Sequence, residues 1–308
     1  MLATAALVGA KFSTRRLTYR ADVVFSGMPD NAPSVRKAGD GPVILCLHSS
    51  TSSSKQWSKL TDQLSHAYQV ISPDLYGYGD SPEWNLDQTL SLGDELDLLR
   101  PLLDEICGPF HLIGHSYGAA VALTLASTYP TRVRSLVLYE PVLFCLLFEK
   151  DSQTKAAIEI GAVQADVANL VERGMLHQAG RRFVNYWSGD GVWEQFEEWQ
   201  KESVAKRMKK VVADFTAVVG HQTKLEAYRN LDIPTLLLYG VESPESTRLI
   251  VDALSRTLPK SEIRGFLGLG HMGPITHADQ IARLIGKFLQ AQPKGILVHQ
   301  LRRSRPQT

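Results

Sequence analysis

The chain has 308 residues, 44% hydrophobic and 21% charged, with a formal net charge of +1 at pH 7. This is ordinary for a soluble globular protein with room for one large core and an inserted subdomain, and it excludes partners recognised by bulk charge, nucleic acid among them. Cys46, Cys107 and Cys145 form no paired framework, which fits a reducing compartment and a cytoplasmic location.

In chain order, the opening "MLATAALVGA" is too short to span a membrane and has no positive charge before Lys11. Residues 1–11 are therefore expected to be an extension, with no membrane contact. "LTYRADVVF" (17–25) reads as an antiparallel edge strand. Five short apolar runs bounded by turn residues follow: "PVILCLH" (42–48), "YQVISPD" (68–74), "FHLIGHS" (110–116), "RSLVLYE" (134–140) and "PTLLLYG" (234–240). Such runs are the pattern of parallel strands buried on both faces. "EIRGFLG" (262–268) is a weaker sixth.

Helical spacing appears at 90–106, where Pro101 should bend or interrupt the helix, and at 118–129 and 278–290. Strand and helix in alternation predict an α/β fold with a doubly wound, mostly parallel sheet. Residues 142–222 carry helical patterns at 154–174 and 193–215 but no convincing strand, and they are too many for a loop. They are expected to form a helical lid over the strand ends. The core would then comprise 12–141 and 223–292, with a basic extension at 293–308. Within the lid, "KRMKK" (206–210) reads as a solvated helix face. "RRFVNYWSGDGVW" (181–193) holds Phe183, Tyr186, Trp187 and Trp193, either pocket wall or lid core.

"HLIGHSYGAA" (111–120) is the most informative stretch. An apolar strand enters Gly114-His115-Ser116-Tyr117-Gly118 and leaves as an alanine-rich helix, the strand–turn–helix setting of a G-x-S-x-G nucleophile elbow. The glycines give clearance where strand and helix nearly collide, and the Ser116 hydroxyl projects at the positive end of a helix.

From these residues onward the chain resembles the α/β-hydrolase fold family over nearly its whole length. "LHSS" (47–50) looks like that family's oxyanion segment, "PDLYGYGDSP" (73–82) is similar to its Asp-Gly-Gly-Ser loop, and "GLGHMGP" (268–274) looks like its histidine loop. The resemblance implies Ser116 as nucleophile and His271 as the base that takes its proton. It implies backbone N–H groups of Ser50 and Tyr117 as the oxyanion hole. Ser49 stands where the family has glycine, so a positive φ there would impose strain. His48 is expected to brace the oxyanion loop, and His115 to point away from the attack path.

The family's usual acid position, just beyond the strand "LLLYG", holds Ser243 instead, which carries no charge to stabilise an imidazolium. Glu140, closing "SLVLYE", would emerge on the same sheet edge, and a charge there is costly without a partner. Some haloalkane dehalogenases are similar in carrying their acid at this strand end. Glu140 is thus the expected acid, with Glu242 as the alternative. Asp74 and Asp80 are expected to hold a turn through side-chain-to-backbone hydrogen bonds.

No histidine–cysteine cluster has metal-ligand spacing and no dinucleotide or P-loop pattern occurs, so no cofactor and no metal are expected. Ser49, Trp84, Leu143 and Trp187 are expected at the substrate pocket. The expected function is a serine hydrolase acting on a small-to-medium, apolar carboxylic ester through an acyl-enzyme. Alternatives on the same residues are carbon–carbon bond, thioester or amide hydrolysis. A non-catalytic ligand-binding relative is a further alternative from another class. The partner is a small-molecule substrate, with room for a homodimer.

Overall fold

A computed structural model describes residues 32–292. The strands are β1 (Val35–Ala38), β2 (Val43–Leu47), β3 (Gln69–Pro73), β4 (Phe110–His115), β5 (Val133–Tyr139), β6 (Thr235–Gly240) and β7 (Ser261–Phe266). They form one sheet in the order β1-β3-β2-β4-β5-β6-β7. β1 runs antiparallel to β3 and all other pairs are parallel.

Helices α1 (Ser58–Leu64), α2 (Leu92–Glu105) and α3 (Tyr117–Thr128) alternate with the first strands. Between β5 and β6 lie α4 (Phe144–Asp151), α5 (Lys155–Glu172), α6 (Leu176–Ser188), α7 (Glu198–Lys206) and α8 (Met208–Gly220). The chain then forms α9 (Glu245–Thr257), α10 (Gly273–Thr276) and α11 (Ala278–Ala291).

Successive strand residues face opposite sides of the sheet, and here both sides are covered. Leu45, Leu47, Leu112, Leu136 and Leu138 join a core with α2, α3 and the inserted helices. Ile44, Cys46, Ile113 and Val137 join a second core with α1 and α11. Every residue of β4 is buried. That two-sided burial is why the central strands read as unbroken apolar runs rather than alternating ones.

β2 is flanked by β3 on one side and β4 on the other, so the chain reverses its direction of travel across the sheet there. A crevice beyond the carboxyl ends of two such strands is where ligands bind in open α/β sheets. Ser50 follows β2 and Ser116 follows β4, so both face this switch point.

Several details differ from the sequence reading. The expected strand 17–25 lies outside the described residues, and the antiparallel edge strand found is Val35–Ala38. Helix α2 continues through Pro101. The carbonyl left without its N–H is that of Asp97, which is exposed, so water can satisfy it. The helical pattern at 193–215 is broken at Arg207 into α7 and α8. "KRMKK" is not a solvated face throughout, because Met208 and Lys210 are buried. Among the described residues, no helix is long and apolar enough to cross a membrane.

Candidate active site

The turn from β4 into α3 places Ser116 at φ 57°, ψ −119°, a conformation that side chains other than glycine's rarely adopt. Close approach on both sides requires glycine. A Cβ on Gly114 would sit 2.5 Å from Ala119 Cα, and one on Gly118 would sit 2.3 Å from the His48 carbonyl oxygen. The Ser116 N–H donates to Tyr139 O at 2.9 Å, tying the turn to the end of β5. Thr51 (φ 62°) and Glu140 (φ 46°) also have positive φ. These three follow β2, β4 and β5, so the strained residues gather at one sheet edge.

Ser116, His271 and Glu140 form one hydrogen-bonded chain. His271 Nδ1 lies 2.6 Å from Glu140 Oε2, and Nε2 lies 2.9 Å from Ser116 Oγ. Glu140 is fully buried. Its Oε1 accepts from Gly240 N–H at 2.7 Å and from Ser243 Oγ–H at 2.5 Å. Donors thus converge on both oxygens, as an acceptor-only carboxylate requires. With that acceptor at Nδ1, the ring proton belongs on Nδ1 and the Nε2 lone pair faces the serine hydroxyl. An imidazole so held can take the Ser116 proton, and the carboxylate can stabilise the cation that forms.

The loop bearing His271 is pinned from β4 and β5. His115 Nε2–H donates to the His271 carbonyl at 2.8 Å, and Tyr139 O–H donates to Gly270 O at 2.8 Å. His115 is wholly buried, and burial above all pushes its pKa well below the usual histidine value. It is therefore a neutral brace, its side chain engaged with the His271 main chain. Above the site the Trp187 indole of α6 stacks on the His271 ring, with centroids 4.1 Å apart and planes at 29°.

On the other side of Ser116, Tyr117 N–H belongs to the first turn of α3, where no intrahelical acceptor exists. Ser50 and Tyr117 line the same small cavity as Ser116. Ser49 does not take a positive φ and carries no such strain; the positive φ falls at Thr51. Ser49 N–H and Oγ–H both donate to Gln56 Oε1, at 3.1 and 2.9 Å, which turns its side chain away from that cavity. His48 accepts from Leu75 N–H at Nε2 (3.0 Å) and donates from Nδ1 to Ser49 O (2.8 Å). Burial foremost lowers its pKa, so it holds the loop as a neutral ring. Asp74 braces the same region, accepting from Ser54 N–H at 2.5 Å and from Asp80 N–H at 3.2 Å.

The cavity at Ser116 holds only about 20 Å³. Its apolar wall includes Val142, Phe144, Phe183, Trp187, Phe215 and Val218. Of the expected pocket residues, Trp187 is there and three are not. Leu143 is fully buried between Val142 and Phe144, which do line the cavity. Trp84 stacks edge-on against Tyr76 and lines a separate groove of about 580 Å³ with Trp199 and Lys206. Ser49 is directed to Gln56. Glu242 is exposed, and Ser243 rather than Glu242 contacts Glu140. Trp193 is helix packing, over Gly180.

Sequence reasoning missed Asp214, Lys210 and Glu95. Asp214 lines the cavity and accepts from Ser50 Oγ–H at 2.5 Å. A signal existed. Lys210 and Asp214 stand four apart in α8, within the same three-and-four spacing that buries Met208, Val211, Phe215 and Val218.

The family model described as "Alpha/beta hydrolase family" matches residues 44–284. Lipase LipV of Mycobacterium tuberculosis is 36% identical over 111 residues, covering 34% of this chain and 40% of that protein. The 2-(acetamidomethylene)succinate hydrolase of Mesorhizobium japonicum is 37% identical over 106 residues, covering 34% of this chain and 37% of the relative. The chain thus spans less than half the length of these relatives. Among solved structures, MGS-M2, an alpha/beta hydrolase enzyme from a Medee basin deep-sea metagenome library, superposes with a TM-score of 0.70 at 17% identity. That match covers 85% of this chain and 96% of the neighbour, a likeness of fold.

Proposed function

The chain belongs to the alpha/beta hydrolase family, and we propose that it is a hydrolase that cleaves a small-to-medium, apolar carboxylic ester through an acyl-enzyme on Ser116. The observation that carries this reading is the unbroken chain from Glu140 Oε2 through His271 to Ser116 Oγ, at 2.6 and 2.9 Å. Ser116 Oγ attacks the ester carbon while its proton passes to His271 Nε2, and the carbonyl π pair moves onto oxygen. Backbone N–H groups of Ser50 and Tyr117 receive that oxyanion. His271 then returns the proton to the departing alkoxide as the carbon–oxygen bond breaks. A water molecule repeats the sequence on the acyl-enzyme and releases the acid. Glu140 keeps Nδ1–H in place throughout and stabilises the imidazolium.

The apolar cavity wall supports an apolar acyl group. About 20 Å³ is room for roughly one water-sized group, too little for an ester. Helices α4–α8, within the segment 142–222, therefore act as a lid that must shift to admit substrate. Trp187 lies on His271, so this proposed opening has to carry the indole off the ring.

A fluorophosphonate probe tests the reading without knowledge of the natural substrate. Wild-type protein at pH 7.5 should label, and Ser116→Ala should not. Absence of labelling in the wild type, or equal labelling of both, overturns it.

A further inference from the structure

Three charged side chains lie buried beside the cavity, and no step above uses them. Lys210 Nζ contacts Glu95 Oε1 at 3.0 Å and also bonds Asp214 Oδ1. The same ammonium sits 4.9 Å from the Tyr78 ring centre and 4.8 Å from that of Tyr117. Glu95 is fully buried and Lys210 and Asp214 nearly so. Burial, the largest influence, lowers the Lys210 pKa, but the two carboxylates together outweigh it and leave it above the ordinary lysine value. The ammonium therefore stays charged.

Each carboxylate reaches onward to one residue of the proposed oxyanion hole. Asp214 Oδ2 accepts from Ser50 Oγ–H at 2.5 Å, and from Tyr78 O–H at 2.5 Å. Glu95 Oε1 accepts from Tyr117 O–H at 3.0 Å, and Oε2 from Tyr76 N–H at 3.1 Å. The side chains of Ser50 and Tyr117, whose main-chain N–H groups would hold the oxyanion, are thus tied to a single ammonium through one carboxylate each. Lys210 and Asp214 belong to α8, in the insertion. Glu95 belongs to α2, in the core.

Buried ion groups add little net stability over apolar residues of similar volume. What they impose is geometry, since every partner must be present at once. An oxyanion hole needs its two donors at a set separation, and a drift of about 1 Å is costly in rate.

We propose that Lys210, Asp214 and Glu95 form a positioning device that holds Ser50 and Tyr117 at the separation the oxyanion requires, and does so only while α8 is seated. The inference rests on the serine-hydrolase reading. It makes the hole a joint product of core and insertion, so closing the lid over a substrate also completes the electrostatic site. A network that merely stapled α8 to the core would change stability without changing how the transition state is held relative to the substrate.

The test uses Ser50→Ala and Tyr117→Phe, each of which deletes one side-chain oxygen and keeps the main-chain donor. The readouts are the second-order rate of fluorophosphonate labelling, kcat and KM for p-nitrophenyl butyrate, and inhibition by an aryl trifluoromethyl ketone. That ketone adds the serine oxygen and presents an oxyanion. Each variant should lose about 10- to 30-fold in kcat and in labelling rate, with KM within 3-fold of wild type. Ketone affinity should fall by a matching factor, and Ser50→Thr, which keeps the hydroxyl, should recover to within 3-fold. The double variant should lose at least 3-fold less than the product of the single losses, because both ties end on Lys210. Rates within 2-fold of wild type, losses confined to KM, or strictly multiplicative losses overturn the device and leave the serine mechanism standing. Failure of wild-type protein to label in a Ser116-dependent way overturns both.

Discussion

The hydroxyl of Ser243 donates to Glu140 Oε1 at 2.5 Å. The residue standing where an acid is usual, after β6, thus holds the carboxylate of the neighbouring strand end. With Gly240 N–H on the same oxygen, it leaves Oε2 directed at His271 Nδ1. Gln in place of Glu140 would present an N–H to Nδ1 and favour the wrong tautomer. Glu140→Gln should therefore lower kcat by about 10³- to 10⁴-fold while the protein stays folded by circular dichroism. Glu242→Gln, on an exposed side chain, should stay within about 2-fold. Equal, mild effects of the two would remove Glu140 from the mechanism.

Ser243 itself should matter modestly. Ser243→Ala leaves Oε1 with one donor in a dry setting, and should cost about 1–2 kcal/mol in urea unfolding and about 3- to 10-fold in kcat. Ser243→Asp should be worse than alanine. It would bury a second carboxylate against the first, and like charges at that distance cannot both ionise cheaply. If the aspartate variant outperforms alanine in kcat, the acid does not reside on Glu140.

The proposed lid makes Trp187 the residue that controls access. Replacing it with alanine removes the indole from His271 and enlarges a cavity of about 20 Å³. Stability should fall by about 3–5 kcal/mol. Labelling by a bulky aryl fluorophosphonate should rise relative to a small ethyl one. An unchanged ratio of the two rates would mean that substrate enters by another route.

Acid should weaken the fold through histidines buried as neutral rings. Burial first, and the Arg134 charge second, lower the His111 pKa to about 4, and its Nδ1 lies 2.7 Å from Ser135 Oγ. The folded pKa lies below the unfolded value near 6.5, so the unfolded chain takes the proton first. Stability from this group is complete above pH 6.5 and is lost as pH falls through 6.5 to about 4. The loss is at most about 3 kcal/mol from His111, and His48 and His115, also lowered by burial, add in the same direction. Urea midpoints should drop between pH 7 and 4.5, and His111→Leu should reduce that drop whatever its baseline stability. A slope unchanged by the substitution would exclude His111 as a source.

Much of the fold was legible because it is written in local patterns. The runs at 42–48, 68–74, 110–116, 134–140 and 234–240 overlie β2 to β6, and the Ser116 turn announces itself by glycines at 114 and 118. Edge elements were harder. β1 is mostly half-buried and β7 has exposed positions, so neither forms a continuous apolar run. The division of the 193–215 pattern at Arg207 leaves no mark in hydrophobic spacing, because α7 and α8 each keep their own apolar face.

Chemistry-bearing residue types, their order, and the strand ends from which they emerge were readable in one dimension, since each depends on neighbours a few positions away. Tertiary packing decided which carboxylates meet which partners. Glu140 lies 131 positions from His271, Glu95 lies 115 from Lys210, and Ser50 lies 164 from Asp214. A buried charge has no local signature beyond interrupting an apolar face. It becomes tolerable only when distant donors converge on it, and that convergence belongs to the folded chain.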